Sequence, residues 1–154
     1  MPTRHAYEVT VRWEGDRSRG TTRYREYTRD HQVAADGRPP IPGSSDPMFR
    51  GSPDRWNPEQ LLLAAVAQCH MLEYLHRAML AGVVVTAYRD DASGALASDG
   101  TRFEYVVLRQ AVEVADASMV DAAVAAHEEA HARCLIARSV AFPVRHEPTT
   151  SVRP

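Results

Sequence analysis

An α+β fold follows from three features of the chain. Strand patterns come in clusters instead of alternating singly with helices, two long helical patterns interrupt them, and the strand patterns within a cluster are joined by turn-forming residues. The order read from these patterns is ββ(β)–α–ββ–α–β, with a long central helix packed on antiparallel sheet. At 154 residues the chain has the size of one domain, and 1–154 is read as a single unit.

The elements are justified in order. Tyr7–Trp13 alternates and is rich in β-formers. Thr21–Thr28 alternates again, with Arg23 and Arg25 opposite Tyr24, so a hairpin across the Glu14–Gly20 turn is predicted. A short third strand is expected around His31–Ala35. Asp36–Trp56 holds five of the ten prolines and reads as a long surface loop.

The central helix runs from Asn57 to Gly82. Asn57 suits the N-cap, Pro58 the first helical position, and Gln60 the reciprocal place in a capping box, while Gly82 offers a stop. Leu62, Ala65, Val66, Cys69, Leu72 and His76 fall on one stripe. The helix is apolar over more than half its circumference, which is wide for one face of a small sheet. Burial between two chains of a homodimer would satisfy it.

Val83–Tyr88 and Phe103–Val114 predict a second hairpin, with Ser93–Gly100 as a turn. Met119 to about Arg133 is alanine-rich and predicts a second helix capped from Asp116–Ser118, with Cys134 at its end. Ser139–His146 reads as a last strand, at an edge because of Pro143.

Bulk properties exclude several classes. Hydrophobic residues make 44% and charged residues 25% of the chain, ordinary for a globular protein. A formal charge of −2 gives no argument for nucleic acid or a membrane surface. No apolar run in the first 20 residues marks a secretion signal, so a cytoplasmic location is expected. P-loop, GxGxxG and GxSxG motifs are absent.

Cys69 and Cys134 are the two cysteines. Without a secretion signal they are not read as a structural staple. Cys69 is apolar filler, metal ligand or nucleophile. A nucleophile needs a cation, and mid-helix it gains little from the macrodipole. Arg17 and Arg19, in the Glu14–Gly20 turn, are candidate cations. Glu59 sits in the first helical turn, about 15 Å along the helix from Cys69, so it can serve the thiol only through a long side chain or from another subunit. His127, His131 and Cys134 recur at i, i+4 and i+7 and, with Cys69 and His76, raise the alternative of a zinc site. His127–His131 also reads literally as HExxH, a motif frequent by chance in such helices; an exposed polar face is the plainer expectation.

Three segments in register resemble one family: Trp13–Gly20 (WEGDRSRG), Asn57–Cys69 (NPEQLLLAAVAQC) and Ala130–Val140 (AHARCLIARSV). They resemble the osmotically inducible protein and organic hydroperoxide resistance protein family (OsmC/Ohr), and the intervals from NPE to Cys69 and from Cys69 to Cys134 also fit. The resemblance implies an intertwined α+β homodimer with its active sites at the subunit interface, acting as a thiol-dependent peroxidase on organic hydroperoxides in oxidative stress defence. It makes Cys69 the peroxidatic cysteine, Cys134 the resolving cysteine that pairs with it in a disulfide, and Glu59 the residue that holds an arginine. Arg19 is the best match for that arginine, with Arg17 second. A dithiol reductant, such as a lipoylated protein, is the implied partner, and neither a cofactor nor a resident metal is implied. The alternatives are a non-catalytic relative that binds a small apolar ligand and a Cys/His zinc-binding protein.

Overall fold

The computed structural model describes residues 4–154. Among them, strands β1 (Thr10–Trp13), β2 (His31–Ala34) and β3 (Ile41–Gly43) precede helix α1 (Pro58–Leu80). Strands β4 (Val85–Asp90), β5 (Ser93–Leu96), β6 (Phe103–Leu108) and β7 (Gln110–Val114) follow, then helix α2 (Val120–Arg133) and strands β8 (Val144–His146) and β9 (Thr149–Val152). The class is α+β, as the strand clustering predicts. Two compact units divide the chain at Leu61–Leu62, inside the first turns of α1.

The first unit is built on the antiparallel sheet β1-β2-β3. Thr21–Thr28, expected to pair with β1, forms no strand, and β2 takes that place with Trp13 opposite His31. The physical reason lies in Arg29. Its guanidinium stacks on Tyr24 and Tyr27 at 4.2 Å from each ring and donates to the Tyr24 and Tyr27 carbonyls, so the tyrosines close a loop instead of lining a strand. The Trp13 indole N–H donates to the Thr28 carbonyl (2.8 Å), and Thr28 N–H donates to Gly15 O. Gly15 is required there, because a Cβ would collide with the Thr28 carbonyl oxygen. The expected long loop 36–56 is more ordered than its prolines suggest. It contains β3 and a 3-10 turn, Pro47–Phe49, capped by the Asp46 carboxylate on Met48 N–H.

Helix α1 starts as its sequence predicts. Gln60 N–H donates to the Asn57 side-chain oxygen (2.8 Å), and Asn57 N–H donates to the Gln60 side-chain oxygen (3.2 Å), a reciprocal capping box. Gly82, at φ +74°, stops the chain from continuing as helix.

In the second unit, two three-stranded sheets have the orders β4-β7-β9 and β5-β6-β8. Phe103–Val114, expected as one strand, is cut into β6 and β7 at Arg109. That residue's N–H donates to Asp90 Oδ1, and its guanidinium reaches the Ser93 hydroxyl and Glu147. Ser93–Leu96, expected within a turn, is strand β5. The last strands pair in parallel, β6 with β8 and β7 with β9, so the sheets are mixed; β8 and β9 both lie at edges. Strand β8 is shorter than expected, since Ala137–Ser139 is a 3-10 turn, and β9 carries no signal beyond a threonine–valine run.

Tyr74 and Ala78 of α1 pack with Ala123, Ala126 and Ala130 of α2 over Val83, Val112 and Val114. The alanines let α2 lie close to α1. A second cluster joins Val66 to Val106 and Leu108, flanked by Phe103, Phe142 and Val144. Each fully buried valine or leucine contributes about 1.5–3 kcal/mol, more than a helix cap at about 1 kcal/mol, so these clusters dominate the unit's stability. The fully buried stripe of α1 is Val66, His70, Tyr74 and Ala78; of the expected stripe only Val66 is fully buried, while Leu62, Ala65 and Cys69 are half-buried. Leu72 and His76 are exposed. His70 and Tyr74 turn inward because α2 offers them polar partners.

Candidate functional site

Cys69 lies half-buried in the middle of α1, and Cys134 is buried at the C-cap of α2. Both are free thiols, and they lie close enough that Cys69 bears on the ionisation of Cys134. Two residues far apart in sequence meet because Tyr74 and the α2 alanines fix the second helix on the first. Burial pushes the Cys134 thiol up to about 11; the neighbouring Cys69 adds to the shift. The backbone of Ala137 and Ile136, just after α2, acts in the opposite sense and favours the thiolate. Cys134 is therefore a protonated thiol at neutral pH.

Glu59 is half-buried in the first turn of α1, and its Oε2 is buried without a hydrogen-bond partner among the described residues. A carboxylate oxygen held out of water is costly unless a donor meets it. Arg19 is exposed in the Glu14–Gly20 turn, where it forms an ion pair with Glu26 (3.6 Å). Among the described residues, neither Arg19 nor Arg17 pairs with Glu59. Another arginine of the first unit, Arg55, donates to His31 O and pairs with Glu14 and Asp30 at 3.7 Å.

The expectation of an exposed His127–His131 face is corrected. His127 is 1% exposed, and its Nδ1 shares a hydrogen bond with His70 Nε2 at 3.2 Å, the two rings stacked 12° from parallel. Tyr74 stacks on His127 at 4.0 Å, and its hydroxyl donates to the Ala123 carbonyl (3.1 Å). His146 of β8 lies 5.8 Å from His70 and 4.9 Å from His131, centroid to centroid. Burial, aided by the neighbouring imidazoles, pushes His70 down to about 4 and His127 to about 3. His70 and His146 are missing from the sequence reading. The four-residue spacing of Val66, His70, Tyr74 and Ala78 is the signal that finds His70; nothing local marks His146. Among the described residues, no group of three or more His, Cys, Asp or Glu side chains is placed to hold a metal ion, and no helix is long and apolar enough to cross a membrane.

Solved structures share this architecture. An OsmC-like protein of unknown function from Vibrio cholerae superposes with a TM-score of 0.84 at 29% identity, over 95% of this chain and 100% of that one. An organic hydroperoxide resistance protein from Elizabethkingia anophelis matches with a TM-score of 0.67 at 16% identity, over 99% and 100% of the two chains. That of Bacillus subtilis matches with a TM-score of 0.59 at 17% identity, over 97% and 98%. The last two identities are low enough to speak for the fold alone. No curated protein matches. The profile of the OsmC-like proteins spans residues 51–149, which take in Glu59, both cysteines and all four clustered histidines. With that match over more than half its length, the chain belongs to the OsmC-like protein family.

Proposed function

We propose that the chain is a cysteine-based peroxidase that reduces organic hydroperoxides to alcohols. The observation that carries this reading is the proximity of the free thiols of Cys69 and Cys134. A half-buried thiol beside a buried one, from two elements, suits a reaction that closes and reopens a disulfide.

Cys69, as thiolate, attacks one oxygen of the peroxide. The O–O bond breaks, the alkoxide takes a proton and leaves as alcohol, and Cys69 becomes a sulfenic acid. The Cys134 thiolate then attacks the Cys69 sulfur and displaces hydroxide, which leaves as water. An external dithiol, of the kind carried by lipoylated proteins, supplies two electrons and restores both thiols. Glu59 holds an arginine that polarises the peroxide and favours the Cys69 thiolate. Its unpartnered Oε2 supports that role. Arg19, held in the first unit only by an exposed pair with Glu26, is free to exchange partners. The active assembly is a homodimer, supported by Leu72, Met79 and Leu80 standing exposed on α1.

The reduced protein mixed with excess tert-butyl or cumene hydroperoxide is expected to lose both free thiols, with reduction by dithiothreitol restoring them. Cys69→Ser should abolish the loss. Unchanged thiols after excess peroxide would overturn the assignment and leave a ligand-binding relative as the reading.

A further inference from the structure

Four imidazoles meet between α1, α2 and β8: His70, His127, His131 and His146. The thiol reaction above uses none of them. The nitrogens His70 Nδ1, His127 Nε2, His131 Nδ1 and His146 Nδ1 are buried and have no hydrogen-bond partner among the described residues.

The charged and titratable groups around them are few. From α1, Tyr74 lies against His127, and its hydroxyl is spent on the Ala123 carbonyl. From α2, Glu128 reaches His146 Nε2 at 3.3 Å, but its own side chain is largely exposed. From β4, Tyr88 faces Tyr74, with Asp90 beside it on the same strand. Asp90 accepts from Arg109 N–H, not from a histidine. Arg145 and Glu147 flank His146, and Glu147 is taken by Arg109. Among the described residues, no carboxylate pairs with His70 or His127.

A single N–H lies on the His70–His127 axis. One extra proton can be carried on the pair, but two would set a pair of N–H donors head to head at 3.2 Å. The second proton must break the bond. Because the bond ties α1 to α2, breaking it pulls on the Tyr74–Ala123 contact one turn away.

We propose that these histidines form an acid-sensitive latch: neutral imidazoles hold α2 and β8 on α1, and proton uptake by the His70–His127 pair parts the helices and uncovers the Cys134 thiol. The latch is a property of the packing and does not depend on the peroxidase reading. Its pH window follows from the lowered values of the folded state. Once released, an imidazole titrates near ~6.5. The stabilisation is therefore complete above that pH and is lost as pH falls below it, towards about 4 for His70 and about 3 for His127. At about pH 5, each released histidine favours opening roughly 30-fold, and the two together at most about 1,000-fold.

Hydrogen–deuterium exchange of the full chain in EDTA, corrected for intrinsic rates, tests this at about pH 7 and about pH 5. Protection of 120–133 and 144–146 should fall at least about 30-fold, while the β1–β2 ladder keeps its protection. His127→Phe retains a buried ring without a proton site and should flatten that dependence. Unchanged protection at the lower pH overturns the latch, as does an equal loss in β1–β2, which would be global acid unfolding. A folded His127→Phe chain with the full wild-type dependence also overturns it; if that variant fails to fold, the wild-type exchange decides. Protection at neutral pH that drops when EDTA is added would mean that a metal holds the cluster, and would likewise overturn the latch.

Discussion

Cys134 differs from a generic free thiol in two opposed respects. Burial disfavours its thiolate, lifting it to about 11, while the Ala137 and Ile136 amides favour it. Burial wins, so in the proposed reaction ionisation of Cys134 is the step that limits disulfide closure once Cys69 is oxidised. The rate of closure should rise about tenfold per pH unit from neutral to mildly alkaline conditions, following the thiolate fraction. Rapid-quench mass spectrometry after one equivalent of hydroperoxide reads this directly, as loss of water from the Cys69 sulfenic acid. A pH-independent rate would show that ionisation of Cys134 is not limiting. In Cys134→Ser the sulfenic acid should persist and a dimedone adduct should form on Cys69. The opposite sign holds for the histidines, whose lowered values make acid, not alkali, the destabilising direction.

At the scale of elements, the joint between α1 and α2 positions both the thiols and the imidazoles, and Tyr74 is its centre. Tyr74 is fully buried and spends its hydroxyl on the Ala123 carbonyl. Tyr74→Phe keeps the ring stack and removes a hydrogen bond to a carbonyl that α2 itself already engages, so it should cost about 0.5–1.5 kcal/mol, or roughly 1–6 °C in Tm. Thermal unfolding followed by circular dichroism measures it, and an unchanged Tm would mean that the ring alone holds the joint. Elements whose signals are local were readable from sequence: the Asn57–Gln60 capping box and the glycine stop at Gly82; Asp116, expected to cap α2, instead caps the Ala117–Met119 3-10 turn that leads into it. Elements decided by distant partners were not. Arg29 turned Thr21–Thr28 into a loop through two tyrosines, and Arg109 split β6 from β7 through Asp90, Ser93 and Glu147. The site divides the same way. Cys69, Cys134 and Glu59 were singled out by the family resemblance, and Cys69 lies close enough to Cys134 to bear on its ionisation. Arg19 is paired elsewhere in the single chain, and the buried histidines needed three elements in place before their contacts existed.

The whole molecule leaves apolar surface that one chain does not cover. Tyr7, Val9, Val11 and Trp13 recur every second residue along β1 and its lead-in, and are 89%, 68%, 64% and 43% exposed. β1 is also an edge of its sheet. An apolar row on an unprotected edge strand invites pairing with another chain. A second copy is the occupant that the family resemblance implies. Sedimentation should therefore give about twice the chain mass of 17.1 kDa. Val11→Asp places a charge in the middle of the row, where the strand itself tolerates it because the side chain is exposed. It removes about 1.5–3 kcal/mol of apolar burial from the dimer before any cost of desolvating the carboxylate. The dimer should weaken at least tenfold in Kd, with the circular dichroism spectrum unchanged. A monomeric wild type would remove the dimer. A monomeric Val11→Asp chain that still loses both thiols to peroxide at the wild-type rate would keep the dimer but place the complete active site within one chain, and would free Glu59 and its arginine from any dependence on the partner.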